Sequence, residues 1–99
     1  MSEEKKEKAV FDITTLDINF LIELFINILS TQAWQYMGLR TKTGTDKIEI
    51  DLEKAKLAID CITFLTDKLE LYISKDEADK LRNMLLDLQT NFVRKKEEK

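Results

Sequence analysis

The residues that break helices are confined to one short stretch of this sequence. Proline is absent from the 99 residues, and the two glycines are Gly38 and Gly44. Because proline and glycine are the residues that most often interrupt or end a helix, the segments on either side of this stretch can form long helices. The chain is therefore predicted to be all-α, with its main connection around the glycines.

The first predicted helix covers about residues 16–37. Thr15 or Asp17 can serve as its N-cap, since a short polar side chain there accepts a hydrogen bond from an otherwise unpaired amide. Gly38 is placed to end it, because glycine readily adopts the left-handed conformation that closes a helix.

Two further helices complete a predicted three-helix up-down arrangement. The second covers about residues 51–73, with Asp51 as N-cap and apolar residues at alternating spacings of three and four. The third covers about residues 75–93. Ser74 and Glu77 have the spacing of a capping box at its start.

Charged segments bound the domain. Residues 1–8 are predicted to be a disordered charged leader and residues 94–99 a frayed charged tail, because neither has the apolar groups that offset the entropy of ordering. Residues 9–93 form the single helical domain. Within it, residues 9–14 and 47–50 alternate in a strand-like pattern, and whether they pair as short strands is left open.

The first predicted helix is apolar around about two-thirds of its circumference. Its polar side chains form one narrow stripe that is expected to face solvent: Asn19, Glu23, Asn27 and Ser30. Two neighbouring helices cannot cover so wide an apolar arc, and each large side chain left in water costs about 1.5 to 3 kcal/mol. We therefore expect a homodimer packed through this helix.

The second predicted helix also has an apolar arc outside its core stripe, formed by Leu57, Cys61, Phe64 and Leu71. This arc implies a second contact surface. The predicted self-association interface combines large side chains of the first two helices: Phe20, Leu24, Phe25, Ile28, Trp34, Leu57 and Phe64. A twofold contact is the commonest way for identical chains to cover such surfaces.

The composition argues against an enzyme. The chain has no histidine, which removes the usual general base and the partner of a serine or cysteine nucleophile. Cys61 lies in the middle of a helix beside Asp60, and we interpret it as an inert packed thiol. No catalytic residue, metal ligand or cofactor site is predicted.

Charge and hydropathy limit the expected partners and location. The net charge of -3 gives no long-range attraction to nucleic acid. The first helix is too short in its apolar part to span a membrane, and it contains Asp17 and Glu23. A single cysteine favours a reducing cytoplasm over an oxidising compartment.

Several short motifs follow one another through residues 29–93. They are Leu29 to Ala33 with Gly38, then Gly44, Asp51-Leu52, Ala55-Lys56, Ile59-Asp60, and Ser74 and Glu77 followed by Leu81, Leu85 and Leu88. In these motifs the chain resembles an uncharacterised bacterial family catalogued as domain of unknown function 1844. It departs from the family in lacking a glycine between residues 69 and 74, and in having Gln89 and Phe92 where arginine and tyrosine are common. The resemblance implies a compact helical bacterial protein and brings no activity, cofactor or site.

Two functions fit these observations. The first is a non-enzymatic, self-associating helical interaction or regulatory protein, whose partner is a second copy of itself; an unidentified protein partner is left open. The alternative is a binder of a small apolar ligand or lipid. Its pocket would lie between helices near Trp34, Phe25 and Phe64.

Overall fold

The computed structural model describes residues 12–41, 44 and 47–98. The described residues form three α-helices, as the sequence predicts. They are α1 (Ile18–Tyr36), α2 (Leu52–Leu69) and α3 (Lys75–Glu97). Short 3-10 turns at Ile13–Thr15 and Glu70–Tyr72 precede α1 and follow α2.

Local hydrogen bonds begin and end α1 at two of the predicted residues, although the helix starts at Ile18 rather than near residue 16 and Thr15 is not its N-cap. The Asp17 side chain caps its start by accepting from the Asn19 amide at 3.0 Å. Gly38 follows its end with a φ of 79°. The Gly38 amide donates to the Gln35 carbonyl and the Leu39 amide to the Trp34 carbonyl, both at 3.0 Å. This is the paired bonding of a Schellman ending, which places a glycine in the left-handed position.

The predicted caps of α2 and α3 are also confirmed. The Asp51 side chain accepts from the Lys54 amide at 3.1 Å. Ser74 Oγ accepts from the Glu77 amide, and the Glu77 carboxylate accepts from the Ser74 amide, so both halves of the capping box are present. These bonds satisfy amides that have no partner within the helix.

The far ends of two helices differ from the prediction. α2 ends at Leu69 and tightens into the 3-10 turn Glu70–Tyr72, whereas the sequence predicted helix to residue 73. α3 continues to Glu97, so most of the predicted frayed tail is helical. Basic residues in the last turn of α3 favour this extension because they interact with the negative end of the helix dipole.

The strand-like segments form no strand in the part of the chain that the structure describes. Residues 47–50 are irregular, and the described end of the segment 9–14 enters the 3-10 turn Ile13–Thr15. Residues 9–11 and the predicted leader 1–8 lie outside the described residues.

The three helices run up, down and up. The Asp51 amide donates to the Tyr36 carbonyl at 2.8 Å, which joins the start of α2 to the end of α1. At the opposite end, Asn19 Nδ2 donates to the Tyr72 carbonyl at 3.3 Å. α1 and α2 are therefore antiparallel neighbours.

Arg82 joins α3 to the end of α2. Its guanidinium donates to both oxygens of Glu70, at 3.0 and 2.7 Å, and to Asp67 at 2.6 Å. Because the guanidinium is partly exposed, this cluster fixes the orientation of α3 more than it adds to stability.

The core lies along α2. Its buried apolar side chains come from all three helices: Ile26, Ala33 and Met37; Ala55, Ala58, Ile59, Ile62 and Leu69; and Leu81, Leu85 and Leu88. α1 packs chiefly on α2, α3 packs chiefly on α2 as well, and α1 and α3 touch each other little. α2 therefore lies between α1 and α3. The helices thus form a layer with α2 in the middle, rather than a closed bundle.

Thr66 on α2 is an uncompensated polar group in this core. Its side chain is fully buried, and Oγ1 has no hydrogen-bond partner among the described residues. We expect Thr66→Val to raise the free energy of unfolding by about 1 kcal/mol, because it removes a buried hydroxyl while keeping the shape of the side chain. Urea denaturation measures the change.

Thr63→Val is the matched control, one turn away on the same helix. Its hydroxyl is half-buried and donates to the Ile59 carbonyl at 2.8 Å, so its replacement should not stabilise the protein. Equal changes in the free energy of unfolding for the two substitutions would contradict the prediction that burying the unpaired Thr66 hydroxyl destabilises the fold.

Candidate interaction surface

α1 turns part of its predicted polar stripe toward the core. Ser30 is 5% exposed, and Asn19 and Glu23 are half-buried, so the prediction that this stripe faces solvent is wrong for these positions. Ser30 Oγ donates to the Ile26 carbonyl at 2.7 Å, which satisfies the hydroxyl within its own helix. A satisfied hydroxyl is cheap to bury, and small side chains let α2 approach closely.

As a consequence, bulky apolar side chains of α1 point away from the core. Phe20, Phe25, Ile28 and Ile18 are all exposed. Phe25 and Ile28 are three residues apart, and side chains at this spacing are neighbours on a helix surface. This outward side is where the excess apolar character of the first helix appears.

α2 contributes a second exposed apolar row. Leu57 is 63% exposed and Phe64 is 60% exposed, and Cys61 between them is also exposed. Their spacing of four and then three residues puts them on one line along the helix. The prediction that Cys61 is a packed thiol is therefore wrong, because no neighbouring helix covers this arc of α2.

The two exposed rows meet in a shallow groove between α1 and α2. The side chains that line it are Phe25, Leu29, Asp60, Cys61, Phe64 and Leu65. Its accessible lining is almost entirely apolar, and Asp60 is the one charged residue among those six. We use the term Phe25–Phe64 face for this groove together with the exposed apolar residues on the same sides of α1 and α2: Ile18, Phe25, Ile28, Leu57, Cys61 and Phe64. Ile18 lies two turns before Phe25 on α1 and lines an adjoining groove with Lys68 and Tyr72.

Charged groups lie at the margin of the Phe25–Phe64 face. Lys68 Nζ lies 5.5 Å from the centre of the Phe64 ring, and Lys56 Nζ lies 3.0 Å from Asp60 Oδ2. An apolar centre with a polar margin is the usual composition of a protein–protein contact surface.

The predicted interface residues do not all lie together. Phe25, Ile28, Leu57 and Phe64 belong to the Phe25–Phe64 face. Leu24 is half-buried on α1, and Trp34 is half-buried and packs against the core. Trp34 does not line the groove, although the predicted ligand pocket included it. The remaining residue, Phe20, lines a different cleft.

Residues that the interface prediction omitted also line the groove, namely Leu29, Asp60, Cys61 and Leu65. The row of Leu57, Cys61 and Phe64 was visible in the sequence as an apolar arc. The side of α1 that lies across the groove, with Phe25 and Leu29, was not visible in the sequence. The spacing of residues within one helix does not show which side of another helix packs beside it.

The cleft that contains Phe20 is acidic. It lies where the starts of α1 and α3 meet, and Asp17, Glu23 and Glu77 all line it. Burial raises the pKa of Glu23 above its ordinary value, and the nearby negative charge and hydrogen bond of Glu77 raise that pKa further. The two carboxylates therefore repel each other when both are ionised.

The described residues contain no group of three or more histidine, cysteine, aspartate or glutamate side chains that could hold a metal ion. Among the described helices, none is long and apolar enough to cross a lipid bilayer.

Residues 17–94 match the protein family described as Domain of unknown function (DUF1844). The chain belongs to this family. In this DUF1844 protein the match begins at the N-cap of α1, includes all of α2 and continues to Arg94 in α3. It therefore confirms the resemblance and extends it through the first helix. No curated protein and no solved structure matches the chain, and the family description assigns no activity.

The repulsion in the acidic cleft predicts how stability depends on pH. Glu23→Gln should raise the free energy of unfolding at neutral pH, because it removes a charge that is partly buried beside Glu77. The folded-state pKa of Glu23 is raised above 4.5, so the native chain loses stability as pH rises from about 4.5 through that raised pKa. Denaturant titrations of both proteins from acid to neutral pH measure the difference.

The gain from Glu23→Gln should be largest above the raised pKa and should disappear below 4.5. Asp87→Asn provides the control, since Asp87 is an exposed carboxylate of α3. A gain from Glu23→Gln that is the same at every pH would contradict this explanation.

Proposed function

We propose that this DUF1844 protein is a non-enzymatic, self-associating helical protein that acts through protein–protein interaction or regulation in the bacterial cytoplasm. The observation that supports it is the Phe25–Phe64 face. Large apolar side chains of α1 and α2 are exposed there, and no other part of the described chain covers them. Fully burying one such side chain contributes about 1.5 to 3 kcal/mol of favourable free energy. A dimer in which a second copy covers the face is therefore stabilised relative to two separate chains.

The chemistry of the chain supports a non-enzymatic role. It has no histidine, and its one thiol, Cys61, has only Asp60 and apolar side chains around it in the groove. Glu23 and Glu77 lie together in the acidic cleft, where Glu77 is already engaged in capping α3. Asp67 and Glu70 also lie together, and both accept from Arg82. The net negative charge of the whole chain also argues against nucleic acid as the partner.

Self-association predicts a particle of twice the chain mass of 11.6 kDa. Size-exclusion chromatography with light scattering, over a range of loading concentrations, should give this mass and a shift toward monomer on dilution. A mass of one chain at every concentration up to the high micromolar range would refute the proposal.

A small apolar ligand or lipid is the second candidate, and the groove favours it specifically. Its volume is about 420 Å³, which lies within the range of small-molecule sites at about 300 to 1,000 Å³. Against this candidate, the groove is open along its length, whereas such sites enclose most of their ligand.

Native mass spectrometry distinguishes the two candidates. For the self-associating protein we expect the mass of two bare chains. The ligand binder would instead be supported by a single chain that carries the extra mass of a bound apolar molecule. This extra mass should be lost in the Phe64→Ala variant, which widens the groove.

A further inference from the structure

We propose that two copies of this chain pair through the Phe25–Phe64 face, with Cys61 of one copy next to Cys61 of the other at the twofold axis. This inference rests on the proposed self-association and specifies the surface that carries it. The occupant of the face is a second copy of this chain.

The exposed area of the face suits a dimer contact. Five of its large side chains, Ile18, Phe25, Ile28, Leu57 and Phe64, are between 41% and 66% exposed. At about 200 Å² for a large apolar residue, these five expose roughly 550 Å². A stable contact buries about 800 Å² on each partner, including a polar margin. The apolar centre of such a contact is therefore already present on one chain.

The order of residues along α2 is suited to a self-complementary contact. In a twofold contact the residue on the axis meets its own copy. Cys61 is a small side chain with a large apolar residue one turn before it, Leu57, and another one turn after it, Phe64. A small residue at the centre lets two helices approach, while the large residues on either side fill the space between them.

Positive charges lie at both ends of this row rather than within it. Lys54 and Lys68 are each seven residues from Cys61, in opposite directions. Both make cation–π contacts. Lys54 Nζ lies 5.8 Å from the centre of the Tyr36 ring, and Lys68 Nζ lies 5.5 Å from the centre of the Phe64 ring.

The three residues of the row are themselves uncharged, and Asp60, which lines the groove beside Cys61, is paired with Lys56 at 3.0 Å. Depletion of unpaired charge is typical of the central part of an interface.

The layered arrangement of the helices gives such a pair a recognised architecture. α1 and α3 contact each other little, so α3 does not cover the Phe25–Phe64 face of the α1–α2 pair, whose large side chains are exposed. Two α1–α2 pairs placed face to face form a four-helix core, with both α3 helices outside it. The apolar outward side of α1 is then shielded by the second copy.

Phe20 and Leu86 are also exposed, but they make poorer contacts between copies than the Phe25–Phe64 face does. Phe20 lies in the acidic cleft with Glu23 and Glu77, so two copies meeting there would bring like charges together. Leu86 on α3 is as exposed as Phe64, but it does not line the groove between α1 and α2.

Charge substitution tests which surface is used. Phe64→Glu should weaken dimerisation about thirtyfold or more, because it places a carboxylate in the apolar centre of the contact. Leu86→Glu is the matched control, since both side chains are 60% exposed, and it should leave the dimer unchanged. Sedimentation equilibrium measures the dissociation constants, and circular dichroism verifies that both variants keep the helices.

Cross-linking tests the position of the axis. A short bis-maleimide should join two wild-type chains through Cys61, the single cysteine of the sequence. The double variant Cys61→Ser with Leu86→Cys carries an equally exposed single thiol on α3 and should give no cross-linked dimer.

The outcomes separate this inference from the proposed function. A wild-type dimer that survives Phe64→Glu and does not cross-link through Cys61 overturns the inference and leaves self-association intact. A monomeric wild-type chain overturns both. A monomer that retains an apolar ligand in native mass spectrometry also overturns both, because the face would then serve the ligand.

Discussion

Small side chains in the core set how closely α1 and α2 pack. Ser30 and Ala33 on α1 and Ala55 and Ala58 on α2 are all buried. Side chains of this size let two antiparallel helices approach closely, and close packing maximises van der Waals contact. Large residues at the same positions would hold the helices apart. The position of the Phe25–Phe64 face follows from this contact, because turning the small residues inward turns the bulky ones outward.

The connection between α1 and α2 supports the same contact. Gly38 has a positive φ, and a side chain added there would meet Ile50 Cγ1 at 2.7 Å. The chain therefore turns tightly over the end of α1, and the Asp51 amide reaches the Tyr36 carbonyl. A glycine is needed at position 38 because the backbone has a positive φ and because Ile50 leaves no room for a side chain. The tight turn at Gly38 and the Asp51–Tyr36 hydrogen bond determine where α2 begins beside α1.

The layered arrangement explains why a chain with an adequate core still exposes much apolar surface. In a closed three-helix bundle each helix is covered by the other two. Here α2 alone is covered on two sides, while α1 and α3 have one main neighbour each. Arg82 fixes α3 beside the end of α2, with Glu70 and Asp67 as its partners. With α3 held there, the far side of the α1–α2 pair has no cover among the described residues.

The sequence alone determined the helices and most of their ends. Asp17, Gly38, Asp51 and the pair Ser74 and Glu77 act through hydrogen bonds to residues only a few positions away, so their effect can be deduced without knowing the fold. The end of α3 was predicted four residues too early, because a charged segment is compatible with either a frayed tail or a helix.

Only the tertiary structure decided which side of α1 faces the core. The sequence showed a narrow polar stripe and a wide apolar arc, and hydrophobicity alone favours burying the arc. The structure buries Ser30 and Ala33 together with Ile26 of the apolar arc, and it leaves Phe20, Phe25 and Ile28 exposed, because α2 can approach a small, internally satisfied side chain more closely than a phenylalanine. The exposure of Cys61 was decided by the tertiary structure in the same way. The surroundings of Cys61 depend on where α1 lies beside α2, and the spacing of residues within one helix contains no information about the position of a neighbouring helix.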